Sequence, residues 1–198
     1  MSLALAALLF ATSASGGPLR DGDIVFHTSR SAQSRAVQAA TRSPWSHMGL
    51  VFSFKGKLCV LEAVQPVKIT PLDTWLSRGE GGRHVVKRLK DADTTLTEER
   101  LLAMRRVGES FLKRPYDLTF EWSDARIYCS ELVYKVYQRG AGVELAPLAK
   151  LRDFDLDTPA VKAKLKERYG SRIPLDEPVI SPDAIFRSPL LVTVRDVR

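Results

Sequence analysis

The segments that decide the fold are Ser46-His47-Met48-Gly49-Leu50-Val51-Phe52-Ser53 and Lys57-Leu58-Cys59-Val60-Leu61-Glu62-Ala63-Val64. Both are rich in the apolar and β-branched residues that favour strands. Between them, Lys55-Gly56-Lys57 is typical of a hairpin turn. The sequence therefore predicts an antiparallel β-hairpin over residues 46–64.

Two polar residues, His47 and Glu62, stand in this apolar hairpin. Side chains alternate along a strand, so His47 shares a face with Gly49, which leaves space beside it. A carboxylate such as Glu62 is rarely left unpaired in an apolar strand. A simple hairpin register about residues 53–57 places Glu62 opposite His47, although a bulge would shift the pairing. The pattern predicts an imidazole oriented by a carboxylate; a half-exposed histidine at a strand end is the structural alternative.

Segments on either side of the hairpin predict the remaining elements. Strands are expected at residues 22–26, 67–72, 83–89 and 190–194, and helices at residues 29–42, 128–138 and 158–169. Thr95 and Glu98 have the spacing of a capping box, which predicts a helix from there to the residue before Pro115. This order of strands and helices indicates one α+β domain over residues 17–198.

Composition excludes several classes of protein. The 198 residues are 44% hydrophobic and 27% charged, which is typical of a globular protein and not of a disordered or collagen-like chain. Two cysteines are too few for a disulfide scaffold or a four-cysteine zinc ribbon. The net charge of +7 suits an anionic partner, but a solvated basic surface explains it equally simply. Since the chain has no basic and aromatic array, we expect no nucleic-acid partner.

Residues 1–16 have the pattern of a signal peptide. Leu3 to Ala11 is an unbroken run of nine apolar residues, and small residues such as Ala14 follow it. No lysine or arginine precedes the run, which is atypical, and a buried N-terminal helix is the alternative. We expect an exported protein, periplasmic or secreted, with no transmembrane segment in the mature chain.

The common cofactor and metal motifs do not occur in this sequence. The histidines His27, His47 and His84 have no partner at the short spacings that mark zinc sites. The glycine-rich segment 79–82 does not have the Lys-Ser/Thr ending of a phosphate-binding loop. We therefore expect neither a metal nor an organic cofactor.

Cys129 is the candidate nucleophile. It stands at the predicted start of a helix, where the free N–H groups and the helix dipole favour thiolate over thiol. A buried structural cysteine is the alternative from this segment alone. The second cysteine, Cys59, alternates to the face opposite Glu62, so we expect it in the core and expect no Cys59–Cys129 disulfide.

Five short motifs together resemble the YiiX-like family of circularly permuted, papain-like cysteine hydrolases of the NlpC superfamily. The motifs are Gly22-Asp23-Ile24-Val25-Phe26, Ser46-His47-Met48-Gly49-Leu50-Val51, Leu61-Glu62-Ala63, Arg114-Pro115-Tyr116-Asp117 and Tyr128-Cys129-Ser130-Glu131-Leu132-Val133. The strand with the histidine precedes the helix with the nucleophile in that family, and His47 precedes Cys129 here. The resemblance implies an antiparallel, barrel-like sheet packed on the helix that carries the nucleophile.

The resemblance also implies an activity and roles for particular residues. Cys129 matches the nucleophile, His47 the base and Glu62 the orienting residue, while Tyr128 is expected to line the site. Tyr116 and Asp117 match a motif without an assigned role, and we interpret them as structural.

The implied reaction is hydrolysis of an amide or ester bond through an acyl-enzyme. The substrate would be a cell-wall peptide, peptidoglycan or an acyl lipid. Acyl transfer to an acceptor other than water, and a catalytically silent binding module, remain alternatives.

Overall fold

The computed structural model describes residues 17–197. The predicted signal peptide, residues 1–16, lies outside the described residues. Over residues 17–197 we find no helix whose length and apolar character would let it cross a membrane.

The core of the fold is a six-stranded antiparallel sheet with the strand order β4-β3-β2-β1-β5-β8. Its strands are β1 Ile24–His27, β2 His47–Phe54, β3 Lys57–Glu62, β4 Lys68–Pro71, β5 His84–Leu89 and β8 Leu191–Val197. Two short strands, β6 Ala149–Lys150 and β7 Pro178–Val179, pair separately. The strands predicted from the sequence are all present, and the α+β class is confirmed.

Seven helices accompany the sheet in the part of the chain that the structure describes. They are α1 Ala32–Thr41, α2 Leu72–Leu76, α3 Ala92–Thr95, α4 Glu98–Ser110, α5 Cys129–Val136, α6 Pro159–Tyr169 and α7 Pro182–Phe186. A wider turn, Tyr137–Ala141, extends α5 and ends at Gly142, whose φ is 70°. The sequence did not predict α2, α3 or α7.

The β2–β3 hairpin has a register different from the predicted one. Leu50 pairs with Leu61, so Glu62 lies diagonally from His47 instead of opposite it. The cause is a tight two-residue turn, in which Lys55 and Gly56 both have positive φ, 50° and 75°. Because the register is shifted by two residues, the predicted faces are unchanged and His47 and Glu62 remain on the same side.

The predicted capping box is also wrong. Thr97, not Thr95, precedes α4, and its side-chain oxygen accepts a hydrogen bond from the N–H of Arg100. Thr95 is the last residue of the short helix α3. Thr158 was predicted correctly as the residue that caps α6, since its oxygen accepts from the N–H of Val161.

The sheet buries side chains on both of its faces. One face packs against α4 and α5 through residues such as Met48, Leu50, Leu61, Met104 and Val133. The other face packs against Trp75 of α2 through residues such as Val25, Val51, Val60 and Val86. His47 alternates to the α2 face, but its place at the very start of β2 lets it reach the beginning of α5.

Gly140 lies where a side chain has no room. A Cβ atom at this position would lie 2.4 Å from the Cα and 2.6 Å from the N of Met104 in α4. Since backbone would have to move, we expect Gly140→Ala to lower the free energy of unfolding by about 3 kcal/mol, measured by urea denaturation. Gly17→Ala is the control, because nothing lies within 4 Å of the added atom. Equal effects of the two substitutions would contradict this packing.

Candidate active site

Three adjacent strands bring polar side chains to one place on the α2 face. His27 at the end of β1 pairs directly with His47 at the start of β2. The ring of Trp75 from α2 stacks against both, with centroid distances of 4.3 Å to His27 and 5.9 Å to His47. Glu62, the last residue of β3, completes the group.

Glu62 is fully buried and accepts hydrogen bonds from four side chains. Its Oε2 accepts from His47 Nε2 and Trp75 Nε1, both at 2.9 Å. Its Oε1 accepts from Thr70 Oγ1 and Arg78 Nη2, both at 2.6 Å. Burial alone would raise the pKa of this carboxyl, but the hydrogen bonds, that of His47 foremost, lower the pKa to about 2. The carboxylate is therefore ionised at neutral pH.

His47 is held between Glu62 and Cys129. Its Nε2 donates to Glu62, which leaves the other ring nitrogen available on the opposite side of the imidazole. Burial would lower the pKa of the ring, but hydrogen bonds with the side chains of Cys129 and Glu62 raise it to about 9. An imidazolium at neutral pH is the state that a neighbouring thiolate stabilises.

Cys129 is the first residue of α5 and is buried. Burial would raise the pKa of its thiol, yet the side chain of His47 and the backbone N–H groups of Met48 and Ser130 lower it. Opposite shifts of the thiol and imidazole pKa values favour a thiolate–imidazolium pair.

Contacts to neighbouring loops fix the beginning of α5. The hydroxyl of Ser130 donates to the carbonyl of Ile180 at 2.8 Å, and the N–H of Ile180 donates to the hydroxyl of Tyr128 at 3.1 Å. The backbone N–H of Tyr128 donates to Glu131. The helix start that carries the thiol is therefore tied to the segment that precedes α7.

A buried lysine on α5 ties a second loop to this helix. Lys135 is 1% exposed and its Nζ contacts Glu131 at 2.7 Å, the carbonyl of Ser123 at 2.7 Å and Asp124 at 2.9 Å. Burial raises the pKa of Glu131 to about 7 in spite of Lys135. The loop that leads into Cys129 is thus held by charged hydrogen bonds inside the protein.

Two cavities meet at the thiol and the imidazole. A narrow one of about 90 Å³ is lined by Cys129 and Tyr128, and a wider one of about 410 Å³ is lined by His27 and His47. Gln33, Ser46 and Tyr116 line both cavities. The structure thus places Tyr128 in a cavity wall, where its ring also packs edge-on against Phe120.

Tyr116 lies beside the Cys129 thiol, a position that the sequence analysis missed. Burial and then the charge of Cys129 raise the pKa of this phenol well above its usual value. Gln33 Nε2 donates to the Tyr116 oxygen at 2.8 Å, and the phenol itself hydrogen-bonds with the side chain of Cys129. Asp117 stabilises the local loop instead, because its Oδ1 accepts hydrogen bonds from the N–H and the hydroxyl of Thr119. The only sequence feature that could have pointed to Tyr116 as a site residue was its place in the motif Arg114-Pro115-Tyr116-Asp117.

The structure brings Cys129, His47 and Glu62 together and leaves Cys59 apart. Cys59 is on β3, paired with Phe52, and both cysteines are free thiols. Cys59 is half-buried, which differs from the core position expected for it, because it lies close to the hairpin turn at the edge of the packed region.

Comparison with known proteins identifies the family. Residues 18–195 match the model of the family described as permuted papain-like amidase enzymes, YaeF/YiiX. The chain belongs to this family. The family resemblance and the permuted papain-like fold expected from the sequence are thereby confirmed.

Two comparisons are with YiiX from Escherichia coli, one by sequence and one by structure. Protein YiiX is 45% identical over 192 residues, which are 97% of this chain and 94% of the relative. A crystal structure of yiiX, described as a metalloprotein, is 47% identical with a TM-score of 0.85, and covers 90% of this chain and 97% of that one.

Glu62→Gln tests the orienting carboxylate. The amide removes the negative charge that favours the imidazolium and turns an N–H towards groups that are themselves donors. We expect alkylation of Cys129 by iodoacetamide at pH 6 to slow about 10-fold or more, since one pKa unit on His47 changes the ion-pair population by that factor. Circular dichroism checks that the variant is folded.

Glu121→Gln is the matched control, because the Glu121 side chain is 56% exposed and pairs with Arg126 and not with the residues around the thiol. Its alkylation rate should equal that of the unsubstituted protein. An unchanged rate in folded Glu62→Gln protein would show that the carboxylate does not act on the thiol.

Proposed function

We propose that this chain is a cysteine amidase that hydrolyses its substrate through an acyl-enzyme on Cys129. The observation that carries the proposal is the position of His47 between the Cys129 thiol and the Glu62 carboxylate, with the pKa of the thiol lowered and that of the imidazole raised. An activated nucleophile, a base and a group that orients the base are the three parts that this chemistry needs.

The reaction proceeds in two stages. The thiolate of Cys129 attacks the carbonyl carbon, a C–S bond forms and the carbonyl oxygen takes the negative charge. The C–N bond then breaks, and His47 gives its proton to the leaving nitrogen. In the second stage His47 takes a proton from water, the hydroxide attacks the thioester, and the acid leaves as the C–S bond breaks. Glu62 holds the imidazole in the same orientation throughout.

Two groups are placed to stabilise the oxyanion. The backbone N–H of Cys129 at the helix start is the donor expected from the sequence. The phenol of Tyr116, whose oxygen already accepts from Gln33, supplies the second donor. A side-chain donor in a buried site is worth more than in water, because no solvent competes for it.

The lining of the two cavities supports an orientation for the substrate. His47 must reach the leaving nitrogen, so the wider cavity lined by His47 takes the leaving amine. The narrow cavity, lined by Cys129 but not by His47, then takes the acyl part. Its wall is mainly apolar, with residues such as Ala36, Val37, Phe120, Leu151, Phe154 and Leu165. A short apolar acyl group therefore fits better than a polar peptidoglycan stem, which remains the second candidate substrate.

The description of the relative as a metalloprotein raises the question of a metal. Within residues 17–197 no group of three or more His, Cys, Asp or Glu side chains is arranged to hold a metal ion. Glu62, the carboxylate beside His47, has its oxygens engaged by four donors. The residues present do not fit such a centre, and we derive no step through a metal.

The pH dependence of kcat/KM tests the thiolate–imidazolium pair. The pair exists above the lowered pKa of the thiol and below the imidazole pKa of about 9. We therefore expect a bell-shaped profile on an N-hexanoyl amide that falls about 10-fold per pH unit above pH 9. A profile that keeps rising through pH 10 would contradict the pair.

Cys129→Ala and His47→Ala should each lower kcat/KM by at least about 1,000-fold, because nucleophile and base act as a unit. Cys59→Ala is the matched control and should retain full activity. Activity in folded Cys129→Ala protein would overturn the proposal. Adding an amine or alcohol acceptor and analysing the products separates hydrolysis from acyl transfer.

A further inference from the structure

His27 is a buried polar residue that the catalytic arrangement does not use. It is 3% exposed, and neither ring nitrogen has a hydrogen-bond partner among the described residues. Buried polar atoms in folded proteins are nearly always paired. Two unpaired atoms on one side chain therefore need an explanation.

The ring of His27 is neutral. Burial is the main reason that its pKa falls to about 3, and the charges of His47 and Arg78 lower the pKa further. A neutral imidazole offers one N–H donor and one acceptor nitrogen, so it can bond to a hydroxyl or an amine in either direction. Such a ring is too weak a base to replace His47, but it is a suitable hydrogen-bonding partner.

His27 is positioned beside the base and in the wall of the wider cavity. The centroids of the His27 and His47 rings are 5.2 Å apart. The cavity is also lined by polar side chains such as Ser29 and Gln33, by the cation Arg78, and by apolar residues such as Ala63 and Leu118. A group that binds here therefore meets hydrogen-bonding partners beside apolar contacts.

We infer that His27 determines specificity by hydrogen-bonding a polar group on the leaving amine of the substrate. The inference rests on the proposed function, because His47 must face the leaving nitrogen. The 5.2 Å between the ring centroids is short enough for a 2-hydroxyethylamine to span, with its nitrogen towards His47 and its hydroxyl towards His27. One of the two buried nitrogens of His27 then gains its partner when substrate binds.

Two amides that share one acyl group test the inference. N-(2-hydroxyethyl)hexanamide carries the hydroxyl, and N-propylhexanamide has a methyl group in its place. We expect kcat/KM to be about 10-fold or more higher for the hydroxyl amide, since a site with a buried polar group discriminates against a substrate that leaves it unpaired.

His27→Phe should abolish this preference by lowering kcat/KM for the hydroxyl amide to the value for the propyl amide in the same variant. His27→Gln, which keeps a donor and an acceptor, should restore part of the preference. A role of His27 in packing against Trp75 alone would lower both rates equally and would overturn the inference, as would a preference that survives in His27→Phe.

A binding measurement separates this inference from the hydrolysis itself. The two amides are titrated calorimetrically into the Cys129→Ala variant and into a double variant that also carries His27→Phe. Tighter binding of the hydroxyl amide that is lost with His27→Phe supports the subsite even if the unsubstituted protein cleaves neither amide, a result that would count against the proposed function alone. No preference in the Cys129→Ala protein overturns the subsite.

Discussion

The buried carboxylate of Glu62 is the constraint on which the rest of the site depends. An ionised group with no exposure to water is costly unless its oxygens are fully paired. Four donors from β2, β4, α2 and the segment after α2 supply that pairing. These four hydrogen bonds fix the positions of the donor elements relative to Glu62, and they orient the imidazole of His47. The hydrogen bond that compensates the buried charge of Glu62 therefore also orients the imidazole that we propose as the base.

Periodicity predicted much of this arrangement. The apolar pattern of two strands, interrupted by His47 and Glu62, was enough to place both on one face of a hairpin. The predicted hairpin register was wrong by two residues because Lys55 adopts a positive φ, which a lysine does not predict. A shift by two preserves the faces, which is why the pair was found in spite of the error. The helix start at Cys129 was likewise visible from local sequence.

The partners of these residues could not be predicted, for a different physical reason. Trp75, Arg78 and Tyr116 belong to a five-residue helix and to loops, which have no period to show which side chain turns inward. Their contacts arise only when distant segments pack together. His27 was assigned to no role, since an unpaired buried nitrogen is a property of three-dimensional surroundings and not of a motif.

Gln33, Ser46 and Tyr116 line both cavities, so the site lies at the boundary between the narrow and the wider cavity. In the proposed reaction, the acyl group stays in the narrow cavity after the C–N bond breaks, and the amine leaves from the wider one. The next molecule to enter the wider cavity is then the first that can attack the thioester. The fate of the acyl group is therefore a competition for occupancy: water gives an acid, and an amine or alcohol that fits better than water gives an exchange product.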